Sequence, residues 1–311
     1  MAVAGERPRR TSRRAQGRIP DAAAGPAGAA PVTAMQDAQG NAGERRKQAP
    51  GPALGAYAAN ELRQAAALLD LPGDARHEGV HQARKSMRRA RACLALRARG
   101  DRADTATGHR VAALDADLRA LCRGLSSVRD AQALCEALER LAPDVPKPAA
   151  RRFARIRARA LEARAQALAR ALERDPGFAR RRRRLAALAE AVAALDWARL
   201  DADALERGLA RSERRVRKAG RHARRHTDDD AGWHRYRRRL RRLRQQVVAL
   251  IASGLPPPRG RKKLEAKAKR LGEAQDDALV LRACRRKGLF DGEQRTLLRT
   301  LARARLERAR R

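Results

Sequence analysis

Two segments of this chain place a histidine and a series of cations at the same intervals. In the first, His81, Arg84, Lys85 and Arg88 stand at i, i+3, i+4 and i+7. In the second, His234, Arg237, Arg238 and Arg241 repeat the spacing, and Arg91 and Arg244 extend both series. On a helix these positions share one face. Arginine stays charged at any relevant pH and presents a planar fork of donors that fits phosphate oxygens. A histidine beside anions gains charge and a second donor. The chemistry offered is the holding of a polyanion, and no bond need be broken.

Further cations stand at the same spacing nearby. Arg214, Arg217, Lys218 and Arg221, with His222, precede the second segment, and Lys263, Lys267 and Arg270 follow it. If helices bring these stripes face to face, they enclose a basic groove or channel. Asp130 and Asp276 lie in otherwise basic surroundings and read as structural acids that orient arginines.

Other chemistry is poorly supported. His77-Glu78-Gly79-Val80-His81 matches the H-E-x-x-H spacing of zinc proteases. A glycine lies between the would-be ligands, however, and the flanking cations disfavour a dication. His222 and His226 share the spacing and the objection. No Gly-rich phosphate loop, carboxylate cluster for Mg²⁺ or defensible nucleophile–histidine pair occurs. No catalysis, metal or cofactor is expected. Cys93, Cys122, Cys135 and Cys284 sit among Ala and Leu at helical spacing and read as small buried hydrophobes of a reducing compartment.

The elements that must position these residues are helices. The apolar part of the chain is mostly Ala and Leu, strong helix formers, and no stretch alternates over strand length. Opposite the basic stripes run Ala83, Met87, Ala90 and Leu94 in the first segment. Tyr236, Leu240, Leu243 and Val247 match them in the second. Downstream, Leu125 to Asp130 parallels Leu271 to Asp276. Two matches in one order indicate a duplicated four-helix unit. About eight helices are expected, broken at Pro72-Gly73, at a polar loop from Arg97 to Thr107, at Pro143 to Pro148, at Asp175-Pro176-Gly177, at Asp228 to Gly232 and at Pro256 to Pro258.

The 311 residues carry 73 Lys and Arg against 35 acids, a formal net charge of +38, with 64 Arg to 9 Lys. Residues 1–51, rich in Ala, Gly, Pro and Arg without periodicity, read as a disordered tail. That leaves most of the excess charge to the helical part. A chain this basic repels itself until a dense anion neutralises it. Nucleic acid, polyphosphate and an anionic membrane surface are the candidates. No apolar run is long enough to span a membrane, and the N-terminus lacks the apolar core of a secretory signal, so a cytoplasmic protein is expected. Two Trp, two Tyr and three Phe offer little for stacking on single strands.

The two histidine-headed arginine series and the segments ending in Asp130 and Asp276 resemble the CHAD domain, the conserved-histidine α-helical domain, over roughly residues 52 to 311. The resemblance implies an all-α fold of two four-helix bundles related by pseudo-twofold symmetry, with repeats of about 52–195 and 200–311. It also implies a basic central cavity that binds inorganic polyphosphate, with polyphosphate granules as an expected location. Nucleic acid is then a weaker competitor. Three positions depart from the family pattern: Ser126 stands where glycine is expected, Gln275 where asparagine or arginine is usual, and Gln245 where an aromatic is frequent. The E-x-E-x-K motif of the hydrolase domain fused to some members does not occur, so no hydrolysis is inherited.

Overall fold

Alanine and leucine at helical periodicity produce helices throughout the described part of the chain. The computed structural model describes residues 50–100, 105–285 and 288–310, and the expected tail lies outside them except for Pro50 and Gly51. Among the described residues there are ten α-helices and no strand. They are α1 (Pro50–Leu68), α2 (Ala75–Gly100), α3 (Thr105–Gly124), α4 (Ser126–Leu141), α5 (Ala150–Arg174), α6 (Ala179–Ala193), α7 (Ala202–Arg225), α8 (Asp230–Ala252), α9 (Arg261–Ala283) and α10 (Gly292–Arg310).

Helix boundaries follow local chemistry, with two differences from expectation. Pro50 and Gly51 open α1 instead of ending a tail; Gly51 is buried where a Cβ would collide with the Trp197 carbonyl oxygen. Arg97 belongs to α2 and not to a polar loop. It is fully buried, and its Nε donates to the Asp196 carbonyl at 2.8 Å. The guanidinium thus ties the last turn of α2 to the turn after α6, which a run of alternating Ala and Arg does not reveal. The breaks after α1, α4, α5, α8 and α9 contain Pro or Gly, whereas those at 194–201 and 226–229 contain neither. Asp201 ends the first of these by capping α7, accepting from the Ala204 N–H at 2.7 Å.

The apolar faces opposite the basic stripes all enter the core. Ala83, Met87, Ala90 and Leu94 are 0 to 1% exposed, and Tyr236, Leu240, Leu243 and Val247 are 2 to 6% exposed. Each fully buried Leu or Met contributes about 2 kcal/mol. One apolar cluster joins α1, α2, α3 and α6 with the start of α7 and the end of α8. A second joins Leu138 of α4, Ile156 of α5, Val280 of α9 and Leu298 of α10. A third links α7, α8 and α9 through Ala223, Tyr236, Leu240 and Leu271. The cores therefore mix helices from both halves of the sequence. The four cysteines are free and buried.

Candidate functional site

The site forms because α2 packs against α8. Each helix buries its apolar face elsewhere and turns arginines toward the seam. Arg84 and Arg88 come from α2, Arg237 and Arg241 from α8. Burial is the main force against the charge of each, and their neighbours' charges add to it. Arg88 is pushed down to about 10, first by burial and then by Arg84, Arg237 and Arg129. Arg241 is held well below the ordinary arginine value by burial and then by Arg88, Arg237 and Arg84. Arg84 and Arg237 are lowered in the same way, opposed by the charges of Asp130 and Asp276 respectively. Guanidinium groups do not shed their protons at physiological pH, so the shifts mark first the cost of burying charge and then the repulsion among neighbours. An anion placed among them relieves it.

Two cavities follow the seam, and a third lies beside it between α8, α9 and α10. The inner one, about 250 Å³, is lined by His81, Lys85 and Arg88 of α2, Arg237, Arg241 and Arg244 of α8, and Lys269 of α9. The outer one, about 240 Å³, is lined by Arg88, Arg91, Arg235, Arg238, Arg239, Arg241, Arg242 and Gln245. The two share Arg88, Arg241 and Gln245. Every charged residue named on these walls is a cation. A third, larger cavity of about 540 Å³ shares Arg237 and Leu271 with the inner one. The inner and outer cavities thus share cationic walls, and the third adjoins the inner one at Arg237 and Leu271.

Several polar atoms at or near the α2–α8 seam are buried without a hydrogen-bond partner. They include His81 Nδ1, Arg84 Nε, Arg88 Nε, Arg129 Nη1 and Gln245 Oε1. Four of these five belong to groups able to donate to phosphate oxygens, and buried donors normally find acceptors. His81 sits below its ordinary pKa because of burial first and Arg129 next, so without an anion its ring is neutral near pH 7. Its counterpart His234 donates from Nδ1 to Gln275 Oε1 at 3.0 Å. Ser126 accepts from Arg84 Nη1 at 3.0 Å, which gives the hydroxyl at that unusual position a task.

The acids behave as positioning groups to different degrees. Asp276 accepts from Arg140 Nη2 at 2.8 Å, and burial raises its carboxyl above the usual range. Asp130 is exposed and bears on Arg84 through its charge. Arg91 lines the outer cavity, but Asp115 already grips it in a two-pronged pair at 2.7 and 3.2 Å.

Other predicted cations do not join the seam. Arg214, Arg217, Lys218 and Arg221 are exposed because α7 buries the opposite face, from Leu205 and Gly208 to Gly220 and Ala223. Arg217 instead pairs with Glu213 at 3.6 Å. His222 bonds Asp229 at 3.1 Å and packs on the ring of His226, bracing the turn into α8. Lys263 is exposed, and Lys267 lies over the Tyr236 ring at 5.6 Å. Lys269 takes the wall position that the α9 stripe was expected to fill. Arg238, predicted from the His234 series, lines the outer cavity together with Arg235, Arg239 and Arg242, which stand with it at i, i+3, i+4 and i+7 and which the histidine-headed pattern does not include. Arg129, seen in the sequence as part of a motif, brings its charge to bear on His81, Arg84, Arg88 and Arg237.

The H-E-x-x-H segment lies at the start of α2, where a Cβ on Gly79 would stand 2.2 Å from the Leu68 carbonyl oxygen. The glycine serves close packing of α1 and α2. Among the described residues no group of three or more His, Cys, Asp or Glu could hold a metal. No helix among them is long and apolar enough to cross a membrane.

A family model for the CHAD domain matches residues 53–286. Two solved structures share the fold. PptA from Streptomyces chartreusis is 20% identical with a TM-score of 0.60, the match covering 85% of this chain and 97% of that one. The CHAD domain from the plant Ricinus communis is 22% identical with a TM-score of 0.52, covering 84% of each chain. No curated protein matches the sequence.

Proposed function

The chain belongs to the CHAD domain family, and on that premise we propose that it binds inorganic polyphosphate without transforming it. The chain of phosphates lies along the α2–α8 seam through the inner and outer cavities. The observation that carries this reading is the gathering of Arg84, Arg88, Arg237 and Arg241 at the α2–α8 seam, where Arg88 and Arg241 share cavity walls that carry no acid and both feel the charge of neighbouring guanidiniums. Such repulsion persists in a folded protein when a ligand offsets it. An extended phosphate chain supplies closely spaced negative oxygens and no side groups, which suits a narrow passage.

In this reading Arg84, Arg88, Arg237, Arg241, Lys85, Arg244, Arg238 and Lys269 hold phosphate oxygens. His81 adds a donor in the inner cavity, and His234 one from the adjoining chamber. Arg91 is a weaker contributor because Asp115 neutralises it. Association with polyphosphate granules follows if the ligand is present in that form. Duplex DNA is too wide for the seam and is left to the exposed cations of α7, so it binds as the weaker competitor. Equilibrium competition tests this. Polyphosphate should displace DNA at equal phosphate concentration and moderate salt, and the reverse order would overturn the reading.

A further inference from the structure

The largest cavity differs in kind from the two it adjoins. Its walls include Trp233, Leu271, Leu281 and Leu306, so its surface is largely apolar, and its volume of about 540 Å³ suits a small organic ligand. Gln275, Arg237 and Arg282 add a few polar groups, and Asp230 a carboxylate. Arg237 and Leu271 are also walls of the inner cavity, so the apolar chamber adjoins the cationic one.

Trp233 is the unusual element. Of the seven aromatic residues in the chain, five are buried: Phe153, Phe178, Trp197, Tyr236 and Phe290. Trp233 is half-buried, lines the chamber, and has its ring fixed by donation from Nε1 to the Thr227 carbonyl at 3.0 Å. The matching position of the first copy is Val80, fully buried. The chamber's aromatic wall is therefore a feature of one half only, and phosphate binding alone does not call for it.

We propose that this chamber takes the base of a nucleoside triphosphate, stacked on Trp233, while its phosphates pass Arg237 into the inner cavity. The proposal rests on the phosphate-binding role of the seam, since Arg237 serves both. It makes the nucleotide a competitor for one end of the polyphosphate path.

The test titrates the full chain with ATP and, separately, with inorganic tripolyphosphate at the same salt. Charge alone favours tripolyphosphate. A base on Trp233 instead makes ATP bind on the order of tenfold more tightly, the factor one base–aromatic stack provides. ATP should also quench tryptophan emission where tripolyphosphate does not, and the change reports on Trp233 because Trp197 is buried. Trp233→Leu should abolish the ATP advantage and keep tripolyphosphate binding. Equal or weaker binding of ATP with unchanged emission overturns the proposal alone, provided that long-chain polyphosphate still binds. If polyphosphate fails as well, the phosphate-binding reading falls with it. The ATP–tripolyphosphate comparison on the unmodified protein stands even if Trp233→Leu does not fold.

Discussion

Arg88 of α2 and Arg241 of α8 stand on the wall common to the inner and outer cavities, and after burial the charge of Arg88 is the first force against that of Arg241. This pair joins the two halves of the sequence at the point where burial and repulsion are combined. A stable fold gains nothing from such a pair, and a phosphate-binding fold gains two converging forks.

Replacing one member should therefore separate stability from binding. Arg241→Met removes a buried, repelled charge and keeps the volume. It should raise the ligand-free unfolding midpoint by a few degrees, corresponding to about 1 kcal/mol. The upward shift of the midpoint on adding polyphosphate should shrink. Thermal unfolding with and without ligand reads both effects, and a lower ligand-free midpoint would count against the repulsion argument.

Acidity should strengthen binding through His81. Burial, Arg129 and Lys85 keep its ring neutral near pH 7, against Glu78 and Glu136. A bound phosphate reverses the balance, so binding takes up a proton and tightens as pH falls from 7 toward 5.5. The ligand-free protein should move the other way. Its His77 and His81 have folded pKa values below the unfolded one, so stability declines as pH falls through about 6.5. Calorimetric binding in buffers of different ionisation heat measures the proton uptake, and His81→Gln should reduce it.

Salt dependence should count the contacts. For a charge-driven polyanion complex the logarithm of affinity falls linearly with that of salt, by roughly 0.7 to 0.9 per neutralised phosphate. Arg84→Gln and Arg237→Gln should each lower the slope by about one contact. Glutamine at Arg214, Lys218 and Arg221 together should leave the slope for a short polyphosphate unchanged, because those side chains face solvent.

Core and site should be separable. Met87 is fully buried beneath the basic stripe of α2. Met87→Ala should cost about 2–5 kcal/mol in denaturant unfolding and leave polyphosphate affinity near its original value under conditions where the protein stays folded.

The sequence made the helical fold and the central helix pair legible because the signals were local. A histidine, an arginine stripe and an apolar face at matched offsets in α2 and α8 define which side of each helix is buried, and Met87 and Leu240 lie where that pattern requires. The stripes of α7 and α9 were equally periodic, yet Arg214 and Lys263 face solvent. Periodicity identifies a face but not the neighbour it meets. Lys269 was overlooked for the same reason: its place beside Arg241 depends on how α9 crosses α8. Arg97 ran the other way, a charge in a polar-looking stretch that tertiary contact buries. The chamber at Trp233 was out of reach, since it depends on how three successive helices, α8, α9 and α10, cross one another.

The central claim is that the α2–α8 seam holds the phosphate chain. The most direct measurement is retention on immobilised long-chain polyphosphate at moderate salt. Three proteins are compared: the original, the Arg84→Gln, Arg88→Gln, Arg237→Gln, Arg241→Gln variant, and the α7 variant carrying glutamine at Arg214, Lys218 and Arg221. The account predicts strong retention of the first and third and early elution of the folded seam variant, which has lost only four of the chain's 73 Lys and Arg. Equal retention of all three, or selective loss in the α7 variant, would contradict it.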